Sequence, residues 1–376
     1  MMKKIGFDAT SITQNHIGGK NQVPLNLLRG FEKNKVADRF VIFCLPEMEK
    51  YFSMLIPHAV LAPVVIRKLW KQTITEIFIR TFILPGYVDK YQIGVFLFPT
   101  FSTGLRRYRI PTVVIPHDIQ TQTNKERFSL KTRLRMAFHY YFDFKLRDKI
   151  IAISDFDRQE IAADYPAYLK KIVHIYNPVF SDFFISAEIH KAAKPYITAV
   201  NIQFGHKNTI TLIKAFEKIK HIMPHDLYLV GRITDETASI VSYIDEHNLN
   251  DRILLPGFID DRALAEILKG SSLYVNPSLF EGFGMTAVEA MLAGVPVLVS
   301  NVSAVPEVTM GLCNYYEPPD DADALAEAMK KILLGEVQSD AGQLRMISSK
   351  INDQYNYVKI SRHYFDLLIS LMQEKD

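Results

Sequence analysis

Short runs of β-branched and aromatic residues alternate with helical patterns along almost the whole chain, and that alternation leaves few folds open. The expected strands of a first series are Lys3–Asp8, Phe40–Cys44, Ile93–Phe98, Thr112–Pro116, Lys149–Ile153 and Lys171–Tyr176. A second series follows with Tyr196–Val200, Leu227–Val230, Arg252–Leu255, Leu273–Asn276, Val295–Ser300 and a short run near Asn314. Continuous apolar runs separated by helices indicate parallel sheets covered on both faces. Two successive series predict an α/β protein of two doubly wound, Rossmann-like domains. A chain of 376 residues is also long enough to need two cores.

The seam is expected at Asn177-Pro178. Residues 1–177 then form the first domain, 178–194 a connection punctuated by Pro178 and Pro195, and 195–356 the second domain, the first expected to face one substrate and the second to bind the other. The stretch 357–376 has an amphipathic helical pattern that the sequence assigns to neither domain. In open parallel sheets, ligands bind beyond the carboxyl ends of the strands. Two such domains facing each other across a cleft would hold a ligand between them, and the informative residues do lie just after strands.

Composition narrows the class further. At 48% hydrophobic and 23% charged residues, with no low-complexity tract, the chain is globular rather than disordered. Its two cysteines, Cys44 and Cys313, lie far apart without metal-ligand spacing. They suit a reducing compartment and argue against a disulfide framework or a zinc site. The opening residues pass from two lysines into a strand without the apolar core of a signal peptide. No apolar run approaches the roughly 18–20 residues that span a bilayer. The expectation is a cytoplasmic protein, soluble or peripheral on the membrane. The net charge of +3 is unevenly spread: Ile66–Ile150 holds sixteen Lys/Arg against six Asp/Glu. Such asymmetry suggests that the first half meets something anionic.

The sharpest constellation begins where an expected strand ends at Asn276. A turn follows with Glu281, Gly282, Phe283 and Gly284, and a helix opens near Met285 and Thr286 and carries Glu289 one turn in. Small glycines let backbone N–H groups approach an anion, and the helix N-terminus adds partial positive charge. Two carboxylates beside such a cradle suit a ligand that is both phosphorylated and rich in hydroxyls. Read alone, the same residues also fit a tight strand-to-helix turn with solvated glutamates.

The whole block resembles the E-x7-E signature of the family-four, GT-B, retaining glycosyltransferases, with Glu281 and Glu289 as the two acids. The likeness continues through Gly294-Val-Pro-Val-Leu-Val-Ser300 and Ser303-Ala-Val-Pro306-Glu307. It resembles bacterial mannosyl- and glucosyl-type transferases of glycan assembly. By that resemblance Glu281 holds hydroxyls of the transferred sugar and Glu289 those of the ribose. Backbone N–H groups from Phe283 to Thr286 meet sugar or diphosphate, and Leu255-Pro-Gly257-Phe258 lies beside the base. Lys207, in Gly205-His206-Lys207-Asn208, matches the family's lysine for the donor diphosphate, a point charge suited to phosphate. Here the sequence departs from the pattern: Asn201 stands at the usual glycine, Phe204 at an often acidic position and His206 at the common arginine. In the first half, Gly18 and Gly19 match the family's Gly-Gly loop, which packs against donor phosphates and acceptor ahead of a helix beginning near Gln22. His117, in His117-Asp118, matches its sugar-facing histidine. Ser154-Asp155-Phe156 resembles its Ser-x-Phe segment.

The resemblance implies transfer of a hexose from a UDP- or GDP-sugar to a glycan or lipid-linked hydroxyl, with retention at the anomeric carbon. The expected setting is cell-envelope polysaccharide synthesis, with no cofactor and no metal. Lys125–Lys149 mixes basic residues with Phe, Tyr, Leu and Met. It reads either as a solvated domain helix or as a patch for an anionic membrane or a lipid-diphosphate acceptor, with Arg67, Lys68, Trp70 and Lys71 adding to it. No nucleic-acid module accompanies it. The other readings are a GT-B epimerase, a sugar phosphorylase, which would need pyridoxal and a longer chain, and a non-catalytic sugar-nucleotide-binding or scaffold protein. A dinucleotide oxidoreductase fails because the first strand-to-helix turn lacks G-x-G-x-x-G.

Overall fold

A computed structural model describes residues 2–13, 19–65, 72–117, 119–123, 125–190, 192–337 and 340–374. The chain forms two compact units, Met1–Pro178 with Tyr357–Asp376, and Val179–Asn356. Each unit is an α/β sandwich around one parallel sheet.

The first sheet contains β1 (Lys4–Asp8), β2 (Phe40–Cys44), β3 (Val60–Pro63), β4 (Ile93–Phe98), β5 (Thr112–Val114), β6 (Lys149–Ala152) and β7 (Ile172–His174), in the order β3-β2-β1-β4-β5-β6-β7. The second contains β8 (Tyr196–Val200), β9 (Asp226–Val230), β10 (Ile253–Gly257), β11 (Leu273–Asn276), β12 (Val297–Ser300) and β13 (Asn314–Tyr316), in the order β10-β9-β8-β11-β12-β13. Pairing is parallel throughout, with Ile5 against Phe40 and Val95, and Tyr274 against Thr198 and Val297. The winding direction reverses between β1 and β4 in one sheet and between β8 and β11 in the other. At such a reversal adjacent loops part and leave a crevice at the carboxyl edge.

The helices that bear on function are α1 (Gly19–Lys33), α2 (Leu130–Leu146), α3 (Thr209–Ile219), α4 (Asp261–Gly270), α5 (Met285–Ala293) and α6 (Tyr357–Gln373). Every residue of β2, β4, β11 and β12 is buried, as continuous apolar runs require. In the first unit Phe43, Phe96 and Phe98 stack in sequence, with centroids 5.3 and 4.8 Å apart. The C-terminal helix α6 packs on α1 in this unit. Asn34 Nδ2 donates to Val358 O at 2.8 Å, and a Cβ on Gly30 would come within 2.6 Å of Tyr357 O.

Three details differ from the sequence expectation. Strand β3 was not anticipated. Helix α1 opens at Gly19 rather than near Gln22, so Pro24 lies inside the helix, where it forgoes one backbone hydrogen bond. Residues 179–194 belong to the second unit and include a helical turn, Asp182–Ser186.

Candidate functional site

The reversal between β8 and β11 gathers the residues singled out in the second half. Past β8, Asn201 adopts φ 65°, a left-handed conformation that asparagine tolerates better than most non-glycine residues. A short 3₁₀ turn, Gly205–Lys207, follows, and Asn208, again left-handed at φ 55°, opens α3. Leu279 N donates to His206 O at 2.8 Å, so the loop after β11 is tied to the loop after β8.

Across that tie lies a buried ion pair. Lys207 Nζ is 2.5 Å from Glu281 Oε1, and both residues are 8% exposed. The same oxygen accepts from Ser278 Oγ at 2.6 Å and from Asn276 Nδ2 at 3.1 Å. Ser300 Oγ, at the end of β12, donates to Ser278 O at 2.5 Å and braces the turn from the next strand. Burial pushes the Glu281 carboxyl up. The Lys207 ammonium, His206 and hydrogen bonds from Lys207 and Ser278 outweigh burial and hold it below its ordinary value. Glu281 is therefore ionised, and an ammonium with three N–H donors stands beside it.

Gly284, at φ 89°, bends the chain into α5, a conformation that a side chain would strain. The first N–H groups of a helix have no partner inside it. In α5 the third of them, Ala287 N, donates to Gly284 O at 3.0 Å, and the helix begins four residues after Glu281. Tyr274 OH donates to Thr286 Oγ1 at 2.7 Å and fixes this turn from beneath. Glu289, in the second turn of α5, is half-buried. Burial first, and Asp261 at the start of α4 second, push its carboxyl up to about 8 against the pull of Lys207. At the ends of β9 and β10, Gly231 N donates to Gly257 O at 3.1 Å. Beside them Phe258 is 53% exposed, with the Arg232 guanidinium 5.5 Å from its ring centre. Ala304 N donates to Glu281 O at 3.3 Å, which joins the segment before Pro306-Glu307 to the same turn.

Lys207, Glu281, Gly282, Phe283, Gly284, Met285, Thr286 and Glu289 thus share one region, with Phe258 at the strand ends beyond Glu289. Sequence reasoning missed Asn276, Ser278, Tyr274, Arg232 and Asp261. Asn276 and Ser278 lie five and three residues before Glu281, a spacing that could have flagged them as its hydrogen-bond partners.

The first-half residues belong to the other unit. His117 follows β5, is buried, and adopts φ 72°. Its Nε2 lies 3.0 Å from Pro99 O; a carbonyl only accepts, so Nε2 carries the proton. Gly19 opens α1, whereas Gly18, Asp118 and the group Arg67, Lys68, Trp70 and Lys71 lie outside the described residues. Ser154 caps the helix Asp155–Asp164, accepting from Asp157 N at 3.0 Å, which is a structural role. Helix α2 exposes Leu130, Leu134, Phe138 and Tyr141, spaced three and four residues apart, beside exposed Lys131, Arg135 and Lys145.

A family model described as glycosyltransferase family 4 matches residues 17–183, and one described as glycosyl transferases group 1 matches residues 182–349. The O-antigen chain mannosyltransferase RfbU of Salmonella typhimurium is 26% identical over 308 residues, covering 79% of this chain and 83% of RfbU. The serotype-specific mannosyltransferase WbdA of Escherichia coli is 27% identical over 266 residues, 67% of this chain. That match spans about a third of WbdA, 32% of its length. Among solved structures, Anabaena HepE in complex with UDP-glucose superposes with a TM-score of 0.73 at 18% identity, covering 98% of this chain and 100% of HepE. With both halves matched in order and two parallel-sheet units of this topology, the chain belongs to the family-four, group 1 glycosyltransferases and has their GT-B fold.

Proposed function

We propose that this glycosyltransferase moves a hexose, mannose in the first instance, from a nucleotide diphosphate sugar to a hydroxyl of a glycan or lipid-linked acceptor. The product belongs to cell-envelope polysaccharide. The observation that carries this reading is the buried Lys207–Glu281 pair at the opening of α5. A cation, a carboxylate and the N-terminus of a helix brought together in one region suit a diphosphate attached to a polyol. The names of RfbU and WbdA as mannosyltransferases, and HepE's complex with UDP-glucose, support the sugar and the donor class.

In this reading Lys207 and the N–H groups from Phe283 to Thr286 receive the diphosphate, with Gly282 and Gly284 allowing its close approach. Glu281 accepts hydrogen bonds from the sugar, and Glu289 binds the ribose. Phe258 lies along the base. Gly18 and Gly19 flank the phosphates, and His117 hydrogen-bonds near the transferred sugar. The bond from the anomeric carbon to the diphosphate breaks as the acceptor oxygen bonds to the same face. The acceptor proton passes to the departing diphosphate. The chain's own contribution is electrostatic, with Lys207 and the turn stabilising charge on the leaving group. Helix α2, with its exposed apolar row between basic residues, rests on the anionic cytoplasmic face of the membrane.

The test is release of nucleoside diphosphate from a panel of GDP- and UDP-hexoses, with product stereochemistry read by proton NMR. One donor is expected to be turned over and to give the retained anomer. No release from any donor, or an inverted product, overturns the reading.

A further inference from the structure

The first unit holds a concentration of positive charge that the site at Lys207 does not use. Arg106-Arg107-Tyr108-Arg109 brings three guanidinium groups into the segment between β4 and β5. These residues form one wall of a cavity of about 230 Å³, and the helix Leu84–Lys90, with Phe82 just before it, forms the other. In this wall Asp89 stands shortly before β4, and in the facing wall Arg109 stands shortly before β5. Asp148, which Arg107 meets, lies directly before β6. The cavity therefore lies toward the amino ends of these strands, whereas the crevices at the two reversals open at the carboxyl ends.

The arginine wall is held in place from several sides. Tyr108 OH donates to Arg80 O at 2.7 Å and Leu105 N donates to Thr81 Oγ1 at 3.0 Å, which ties it to the stretch leading into the helix wall. Behind it the fully buried Arg147 donates from Nη2 to Gly104 O at 2.9 Å and to Arg106 O at 3.1 Å. Arg107 Nη2 is 3.1 Å from Asp148 Oδ1, and Asp148 Oδ2 accepts from Thr112 N at 2.9 Å. Arg107 is thus braced with most of its five N–H donors to spare.

The helix wall is open where it faces the cavity. Gly86 lies within the helix, its φ is not left-handed, and a Cβ there would meet nothing within 4 Å. Glycine inside a helix costs stability, and here neither a turn nor close packing calls for it. Its effect is an unfilled space opposite the arginines.

Three arginines against one carboxylate, Asp89, give this lining the charge for an anion. The planar guanidinium fork fits two oxygens of one phosphate. A volume below the roughly 300 Å³ at which pockets for drug-sized ligands begin suits a compact group. Phe82, 65% exposed, adds an apolar rim for the carbon that carries it. We infer that this cavity binds a phosphate group on a small organic moiety, gripped by Arg106 and Arg109 beside the braced Arg107, with Gly86 keeping the space open. The site belongs to the first unit alone and does not rest on the transferase reading.

Titration calorimetry of the full chain with glycerol 3-phosphate presents the phosphate in solution. Co-sedimentation with phosphatidylcholine vesicles containing phosphatidic acid presents it on a lipid. GDP and UDP are added to both to occupy the Lys207 region. The wild type is expected to bind at least one of the two forms. Arg106→Gln combined with Arg109→Gln should weaken that binding by about 10- to 100-fold, the loss of one or two charge-assisted hydrogen bonds. Gly86→Gln fills the space without changing charge; it should weaken binding by about 10-fold or more while melting at or above the wild-type temperature. Binding of glycerol 3-phosphate supports the site with a free phosphorylated ligand, and binding confined to vesicles supports it with a lipid headgroup. No binding in either form overturns the assignment. So does binding that Gly86→Gln leaves unchanged, which is the result of a general attraction between charges rather than a seated phosphate.

Discussion

Lys207 and Glu281 are each nearly buried, and a buried charge persists only with a partner. Lys207→Met leaves Glu281 without its cation and is expected to cost about 3–5 kcal/mol of stability. Lys207→Met combined with Glu281→Gln removes both charges and should recover most of that loss. Neither protein should transfer sugar. Denaturant unfolding of wild type, Lys207→Met, Glu281→Gln and the double variant checks the cycle, and additive losses would refute the pairing. Glu289 makes the opposite prediction. Unfolded, it titrates near its ordinary 4.5; folded, near about 8. Below the lower value both states hold the proton. As pH rises between the two values only the unfolded state ionises, so stability is lost across that window and stays lost above it. Glu289→Gln should therefore be more stable than wild type at about pH 9, by up to a few kcal/mol, and little different at about pH 4. A difference independent of pH would refute this. The acids and the lysine were legible because they fall in a dense motif. Their pairing was not, since 74 positions separate Lys207 from Glu281 and only the sheet order makes them neighbours.

Strand signals succeeded where runs were continuous and failed where they were not. β3 is four residues long, begins at Val60, which is 40% exposed, and ends in Pro63. That is edge-strand chemistry with little burial to announce it. The start of α1 was misjudged because Pro24 reads as a first-turn proline, whereas the helix begins at Gly19 and carries the proline in its second turn. The placement of α6 on α1 depends on close approach rather than on pattern. A Cβ at Gly30 would meet Ser361 Cβ at 2.5 Å and Tyr357 O at 2.6 Å, and backbone cannot swing aside as a side-chain tip can. Gly30→Ala should therefore destabilise by about 1–3 kcal/mol. Gly86, in a helix with open space about its Cβ, is the matched control. Gly86→Ala should be neutral or stabilise by up to about 1 kcal/mol. Thermal unfolding of the two proteins decides, and a Gly30→Ala melting point at or above that of wild type would refute the close packing.

At the scale of the whole molecule, charge is divided as the strands are. The excess of Lys and Arg between Ile66 and Ile150 was plain in sequence, but not which of those residues are free to meet a surface. Folding sorts them. Arg80 and Arg147 are consumed inside the first unit, where Arg80 meets Asp8 and Arg147 Nη2 donates to Gly104 O at 2.9 Å. Lys131, Arg135 and Lys145 remain exposed on α2, alongside Leu130, Leu134, Phe138 and Tyr141. Each basic residue near an anionic bilayer is worth about 1 kcal/mol, screened beyond a Debye length of about 8 Å at physiological salt. Apolar insertion adds a part that salt does not remove. Binding to phosphatidylglycerol-containing vesicles should therefore exceed binding to phosphatidylcholine vesicles and weaken, without vanishing, as salt rises. Lys131→Glu with Arg135→Glu should remove the lipid selectivity, while Leu134→Ser with Phe138→Ser should lower the salt-resistant remainder. Vesicle co-sedimentation at two ionic strengths measures both. Equal binding to neutral and anionic vesicles, or none to either, would leave α2 a solvated face.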